Sequence, residues 1–179
     1  YRDARVALIT AIRDGMNLVA KEYVACQTED PGVLILSPFT GAGETMSEAL
    51  CVNPLEEDML ADALKKACNQ DTLAVIHTHL AGRVADLENT LLIAKSVGAY
   101  VIEDAAQSLG AKLNGKSVGL FGDIGFYSLG VGKGFTIFAG GVLVTENPLL
   151  RQLMRDVGNA MPTNWLMESR RILELLAYY

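Results

Sequence analysis

The strongest constraint in this chain is an alternation. Short apolar runs rich in β-branched residues take turns with longer stretches whose apolar residues recur every three or four positions. Val33–Leu36 and residues 72–77, 99–103, 124–128 and 141–145 have the first texture and are expected to be strands. The second texture predicts helices. Leu8, Ile12, Gly15, Met16 and Val19 fall on one helical face, and a second helix is expected over about 43–50. A third follows Asn53-Pro54, with Asn as the cap, Pro in the first turn, and Leu60, Ala63, Leu64 and Ala67 as its face. Asp86 caps the next, which carries Leu87, Leu91 and Ala94 and ends at Gly98. Asn147-Pro148 opens another, and residues 165–179 continue helical and apolar on one side. Strand and helix alternating in this way predict an α/β three-layer sandwich with a mostly parallel sheet.

Size and charge narrow the functions. The 179 residues, half of them apolar, suit one domain with a real core. A net charge of −6 argues against a nucleic-acid backbone or an anionic membrane surface as partner. No apolar run approaches the roughly 18 residues of a membrane helix. Cys26, Cys51 and Cys68 are an odd set without tight spacing, which suits a reducing compartment and a cytoplasmic protein. The chain begins at Tyr1 and stops inside an apolar helical pattern, so it is expected to be a piece of a longer protein.

In a parallel α/β sheet, ligands bind beyond the carboxyl ends of the strands. Residues just after each apolar run are therefore the candidates. Asp104 and Gln107 follow one run; Ser128 and Lys133 follow another. An Asp there can simply cap the next helix. Lys133 is harder to dismiss, because it is the single charge between residues 124 and 145 and glycines flank it. Desolvation lowers a lysine's pKa and makes the amine a nucleophile toward carbonyls. A phosphate-binding Walker loop is excluded: Tyr127 stands where its first glycine belongs, and Gly134 where Ser or Thr belongs. Gly41 and Gly43 begin a dinucleotide fingerprint, but Met46 occupies its third glycine position. His77 and His79 share a strand face, yet the chain has no other histidine, so strand-end packing is expected and no metal site.

The run Val-Ile-Glu-Asp-Ala-Ala-Gln at 101–107, the Gly-Asp-Ile-Gly-Phe-Tyr-Ser run ending at Ser128, Lys133 and the pair Gly140-Gly141 together resemble the DegT/DnrJ/EryC1/StrS family. Its members are fold type I, pyridoxal 5'-phosphate-dependent aminotransferases, many of which act on nucleotide-linked keto sugars. His79 and Gly82 are similar to the family's His-x-x-Gly segment, and the resemblance is clear over about 73–145. It implies that residues 1–179 are a single large-domain fragment, with the C-terminal small domain absent. It further implies that Lys133 bonds the cofactor and shuttles the proton, while Asp104 holds the pyridine nitrogen protonated. Gln107 would lie by the ring's phenolic oxygen, and Ser128 would bind the phosphate. An amino donor and a keto-sugar-type substrate, and a homodimer, are the implied partners.

Three positions depart from the family pattern. Ala139 replaces an acidic residue, Gly41 stands where a ring-stacking aromatic is usual (Phe39 is the substitute), and no small-residue phosphate turn is evident near Arg2. The alternatives are a lyase or dehydratase on the same cofactor, or a non-catalytic protein retaining the fold. Lys133 favours amino transfer, because the dehydratase branch has histidine at that position.

Overall fold

The computed structural model describes residues 2, 4–12, 14–79, 82, 84, 87–137 and 139–161. Its centre is a seven-stranded sheet. In chain order its strands are β1 (Val6–Ile9), β2 (Val33–Leu36), β3 (Leu50–Cys51), β4 (Ala74–Thr78), β5 (Tyr100–Asp104), β8 (Ile124–Ser128) and β9 (Gly141–Val144); a small hairpin of β6 (Lys112–Leu113) and β7 (Lys116–Ser117) lies outside it. The helices are α1 (Leu18–Cys26), α2 (Glu57–Ala67), α3 (Leu87–Val97) and α4 (Pro148–Ala160). Across the sheet the order is β3-β2-β1-β4-β5-β8-β9, and every pairing is parallel except β8 with β9. The expected α/β sandwich with a mostly parallel sheet is what forms.

The apolar runs of β1, β2 and β4 are uninterrupted because both faces of the sheet's centre are covered. Along β1, Val6 and Leu8 join Leu60, Leu64, Val75, Ile93 and Val101 in the layer made by α2 and α3. Ala7 and Ile9 join Ala20, Tyr23, Leu36 and Ile76 in the layer made by α1. Each large aliphatic side chain buried this way stabilises the fold by roughly 1.5–3 kcal/mol. The Tyr23 hydroxyl donates to the Ala4 carbonyl at 3.0 Å, and burial pushes it up to about 12.

Three expectations fail here. The helical face read across Leu8, Ile12, Gly15, Met16 and Val19 is split between β1, a loop and α1. Asn17, at φ 46°, ends that loop; its side chain caps α1 by accepting the Ala20 amide at 2.9 Å. Three- and four-residue spacings arise by chance in so apolar a segment, whereas burial from both sides selects the strand. The helix expected over 43–50 is one 3₁₀ turn, Gly41–Glu44, leading into the edge strand β3. Gly41 is held against the first loop by a 2.7 Å hydrogen bond from its amide to the Gly15 carbonyl, and a Cβ there would lie 2.4 Å from that oxygen. Asn53-Pro54 forms a separate turn, with the Leu55 amide bonded to Asn53 Oδ1, so α2 begins only at Glu57. Leu60, Ala63 and Leu64 are buried as expected.

The hairpin was not expected. Asn114 and Gly115, both at positive φ (51° and 82°), supply its two-residue turn. Asn147 does cap α4, and α3 does end at Gly98, whose φ is 77°. Asp86 and residues 165–179 lie outside the described residues.

The strand order places the site. The chain runs outward from β1 through β2 to β3, then returns to add β4 on the other side of β1. The loops leaving β1 and β4 therefore diverge and open a crevice at their carboxyl ends, where ligands bind in such sheets.

Candidate active site

A cavity of about 590 Å³ occupies that crevice. Its walls come from four strand ends and one helix: Asp14, Met16 and Asn17 after β1, Leu18, Val19 and Glu22 of α1, Thr78 and His79 from β4, Asp104, Ala106 and Gln107 from β5, and Ser128 and Lys133 from β8 and its following loop. All four residues selected from the sequence, Lys133, Asp104, Gln107 and Ser128, meet here. Gln107, Ser128 and Lys133 also line an adjoining space of about 390 Å³ with Gly132 and Gly134.

Asp104 is the last residue of β5 and is buried. Its Oδ1 accepts the Ala106 amide at 3.0 Å. Burial pushes the carboxyl above the usual carboxylate range; the Ala106 hydrogen bond and the positive charges of His79 and Lys133 oppose this, and Glu22 adds to it. A buried acid in that condition is suited to a cationic N–H donor, as a protonated ring nitrogen would be. Lys133 is half-buried in a loop turned by Gly132 at φ 83°, with its amide on the Gly130 carbonyl at 3.3 Å. Ser128 Oγ accepts the Gly130 amide at 3.3 Å. Gln107 is exposed at the rim.

Beneath these residues lies a buried anchor that the sequence reading passed over. Glu103 is fully buried. One of its oxygens accepts the Phe121 and Gly122 amides, both at 2.6 Å; the other accepts the Gly119 amide at 2.7 Å and His79 Nε2 at 3.1 Å. Burial pushes this carboxyl up, but the hydrogen bonds from His79, Gly122 and Gly119 outweigh it and hold it below its ordinary value. An ionised carboxylate only accepts, so His79 carries its proton on Nε2. His77 packs beside it, ring centroids 4.8 Å apart, and bonds Thr90 through Nδ1 at 3.0 Å. Burial, then the charge of His79, drives His77 well below the ordinary histidine value. The pair is strand-end packing, and among the described residues no cluster of His, Cys, Asp and Glu could hold a metal.

The first β-strand loop is the other omission. Asp14 accepts a hydrogen bond from Asn17 Nδ2, and its backbone bridges to Thr40. The available signal was an Asp-Gly-x-Asn run between a strand and a helix, which is turn-then-cap chemistry. Neither proposed stacking position reaches the cavity wall: Gly41 has no space for a side chain, and Phe39, 44% exposed, does not line it.

Comparison with known proteins divides the chain. Residues 51–165 match the DegT/DnrJ/EryC1/StrS aminotransferase family. The chain belongs to the DegT/DnrJ/EryC1/StrS aminotransferase family. Solved structures agree on the fold. An aminotransferase from Psychrobacter cryohalolentis aligns at 24% identity and TM-score 0.56, covering 82% of this chain and 33% of that one. The aminotransferase TlmJ from Streptoalloteichus hindustanus aligns at 20% and 0.62, covering 89% and 38%. DesI, solved with its TDP-sugar product, aligns at 22% and 0.61, covering 86% and 34%.

The amino-terminal part of this DegT/DnrJ/EryC1/StrS chain also matches another family. Residues 1–80 match glycosyltransferase family 20. A trehalose-6-phosphate synthase from Enterobacter sp. (strain 638) is 51% identical over 80 residues, which are 44% of this chain and 17% of that protein. The alpha,alpha-trehalose-phosphate synthase [UDP-forming] A of Dictyostelium discoideum is 56% identical over 64 residues, 36% of this chain and 9% of that protein. The chain thus spans under a fifth of these relatives and about a third of the aligned structures. The two matches overlap over 51–80, and both regions contribute strands to one sheet. Among the described residues no helix is long and apolar enough to cross a membrane.

Proposed function

We propose that this chain carries the cofactor-binding region of a pyridoxal 5'-phosphate-dependent aminotransferase that aminates a nucleotide-linked keto sugar. One observation carries the reading: Lys133, Asp104, Ser128 and Gln107, which come from two different strand ends, line a single cavity at the sheet's switch point. The residues fit the cofactor. Asp104 is a buried carboxyl raised by desolvation and in want of a cationic partner. Bound there, the cofactor supplies an electron-withdrawing ring that stabilises a carbanion next to the transferred nitrogen.

The chain's own residues then have distinct tasks. Lys133 would be the amine that holds the cofactor, and its Nζ would move a proton at the reacting carbon. Asp104 would keep the ring nitrogen protonated. Ser128 would offer a hydrogen bond to a phosphate in the cavity that Leu18 and Val19, in the first turn of α1, also line. Glu22 opposes that charge from the next turn of α1. Gln107 guards the open rim. A homodimer and a cytoplasmic location belong to this proposal.

Borohydride reduction of the cofactor-loaded chain, followed by peptide mapping, tests it. The label is expected on the Gly132-Lys133-Gly134 peptide; label on any other lysine refutes the assignment. A second reading is favoured by the match of residues 1–80 to glycosyltransferase family 20: the Asp14–Glu22 wall would then serve a sugar nucleotide. Saturable UDP binding that pyridoxal 5'-phosphate displaces would support that second role, and its absence would remove it.

A further inference from the structure

We infer that Thr78 is a further cofactor-binding residue, its hydroxyl bonding the ring's phenolic oxygen together with Gln107 while Asp104 takes the ring nitrogen. The inference rests on reading the cavity as a pyridoxal 5'-phosphate site. Thr78 ends β4 directly in register with Asp104 of β5, and both line the cavity. Residues paired across parallel strands point to the same face, so the two side chains stand side by side. Thr78 is 3% exposed, and its Oγ1 has no hydrogen-bond partner among the described residues.

That vacancy is the argument. A buried hydroxyl without a partner destabilises the free protein, whereas valine fills nearly the same volume at no such cost. Thr10 Oγ1, His77 Nε2 and His79 Nδ1 are also buried without partners. Thr10 and His77 do not line the cavity, and His79 is already held by Glu103. Thr78 is the one whose hydroxyl is wholly uncommitted in the wall that a ring approaching Asp104 would meet.

Thr78→Val, Thr78→Ser and, as a control, Thr10→Val would be compared with the wild-type chain. Thermal melts of the free proteins and titrations with pyridoxal 5'-phosphate and with pyridoxamine 5'-phosphate, which has no aldehyde for Lys133, give the readouts. Thr78→Val is expected to melt higher than wild type yet bind both probes about three- to tenfold more weakly, the loss of one uncharged hydrogen bond. Thr78→Ser is expected to restore affinity, and Thr10→Val to melt higher with affinity unchanged. Equal affinity in Thr78→Val, a lower melting point, or the same weakening in Thr10→Val would overturn the inference while leaving the cofactor reading intact. Failure of the wild-type chain to bind either probe would overturn both.

Discussion

Replacing Glu103 by glutamine tests whether the floor beside the cavity rests on one ionised carboxylate. In the wild-type chain its two oxygens accept four donors: the amides of Gly119, Phe121 and Gly122, and His79 Nε2. Glutamine is nearly isosteric, but one oxygen becomes an NH₂ group. If the remaining oxygen keeps Phe121 and Gly122, those two bonds lose their charge, about 1 kcal/mol each. In the variant His79 can stand protonated on Nδ1 and accept from the new NH₂ through Nε2. The Gly119 amide cannot, and a buried N–H left against another donor costs about 1–3 kcal/mol. The total is about 3–5 kcal/mol, or roughly 6–20 °C of melting temperature for a chain of this size. Urea unfolding followed by circular dichroism measures it. The sign with pH follows from the depressed carboxyl. A group whose folded value lies below its ordinary 4.5 adds stability that is full above that value and lost as pH falls through the folded value. The gap between wild type and Glu103→Gln should therefore narrow below about pH 4.5. A cost under about 1 kcal/mol at pH 7, or a gap constant from pH 7 to 3, would refute the reasoning.

Further predictions follow from neighbouring residues. Burial raises Asp104, so its contribution to stability declines as pH rises from the ordinary 3.8 through the folded value; Asp104→Asn should melt no lower than wild type at pH 7 while cofactor affinity drops about 10- to 100-fold. A fall in melting temperature would count against this account. His77 is held neutral in the fold, so below its ordinary 6.5 the unfolded chain takes up a proton that the folded chain refuses. Stability should decline by up to about 1.4 kcal/mol per pH unit there, and His77→Gln should flatten the curve; an unchanged slope in urea midpoints between pH 7 and 5.5 would refute it. A Cβ on Gly125 would lie 1.9 Å from the Gly119 carbonyl oxygen. Gly125→Ala should cost about 3 kcal/mol by pushing the 119–122 turn off Glu103, and a fully stable Gly125→Ala protein would show that this approach is not tight.

Local pattern by itself determined the α/β class, the buried runs at Val33–Leu36, β4, β5 and β8, the Asn147-Pro148 start of α4, and the prominence of Lys133 and Asp104. Each of these rests on short-range chemistry: an apolar run that must be covered, a cap that satisfies helix amides, a lone charge among glycines. Three matters were decided only in three dimensions. Residues 8–19 satisfied a helical spacing, yet β1 is held as a strand by neighbours 27 and 69 residues away. Gly41 reads as a missing aromatic, but it is required by the Gly15 carbonyl, a contact between two loops. The pairing of Thr78 with Asp104, and of the amino-terminal wall with Lys133, depends on β1 sitting between β2 and β4. Strand order and register are set by which distant segments bury each other's faces. A periodicity read along the chain carries no information about that choice, and it is that choice that assembles the cavity.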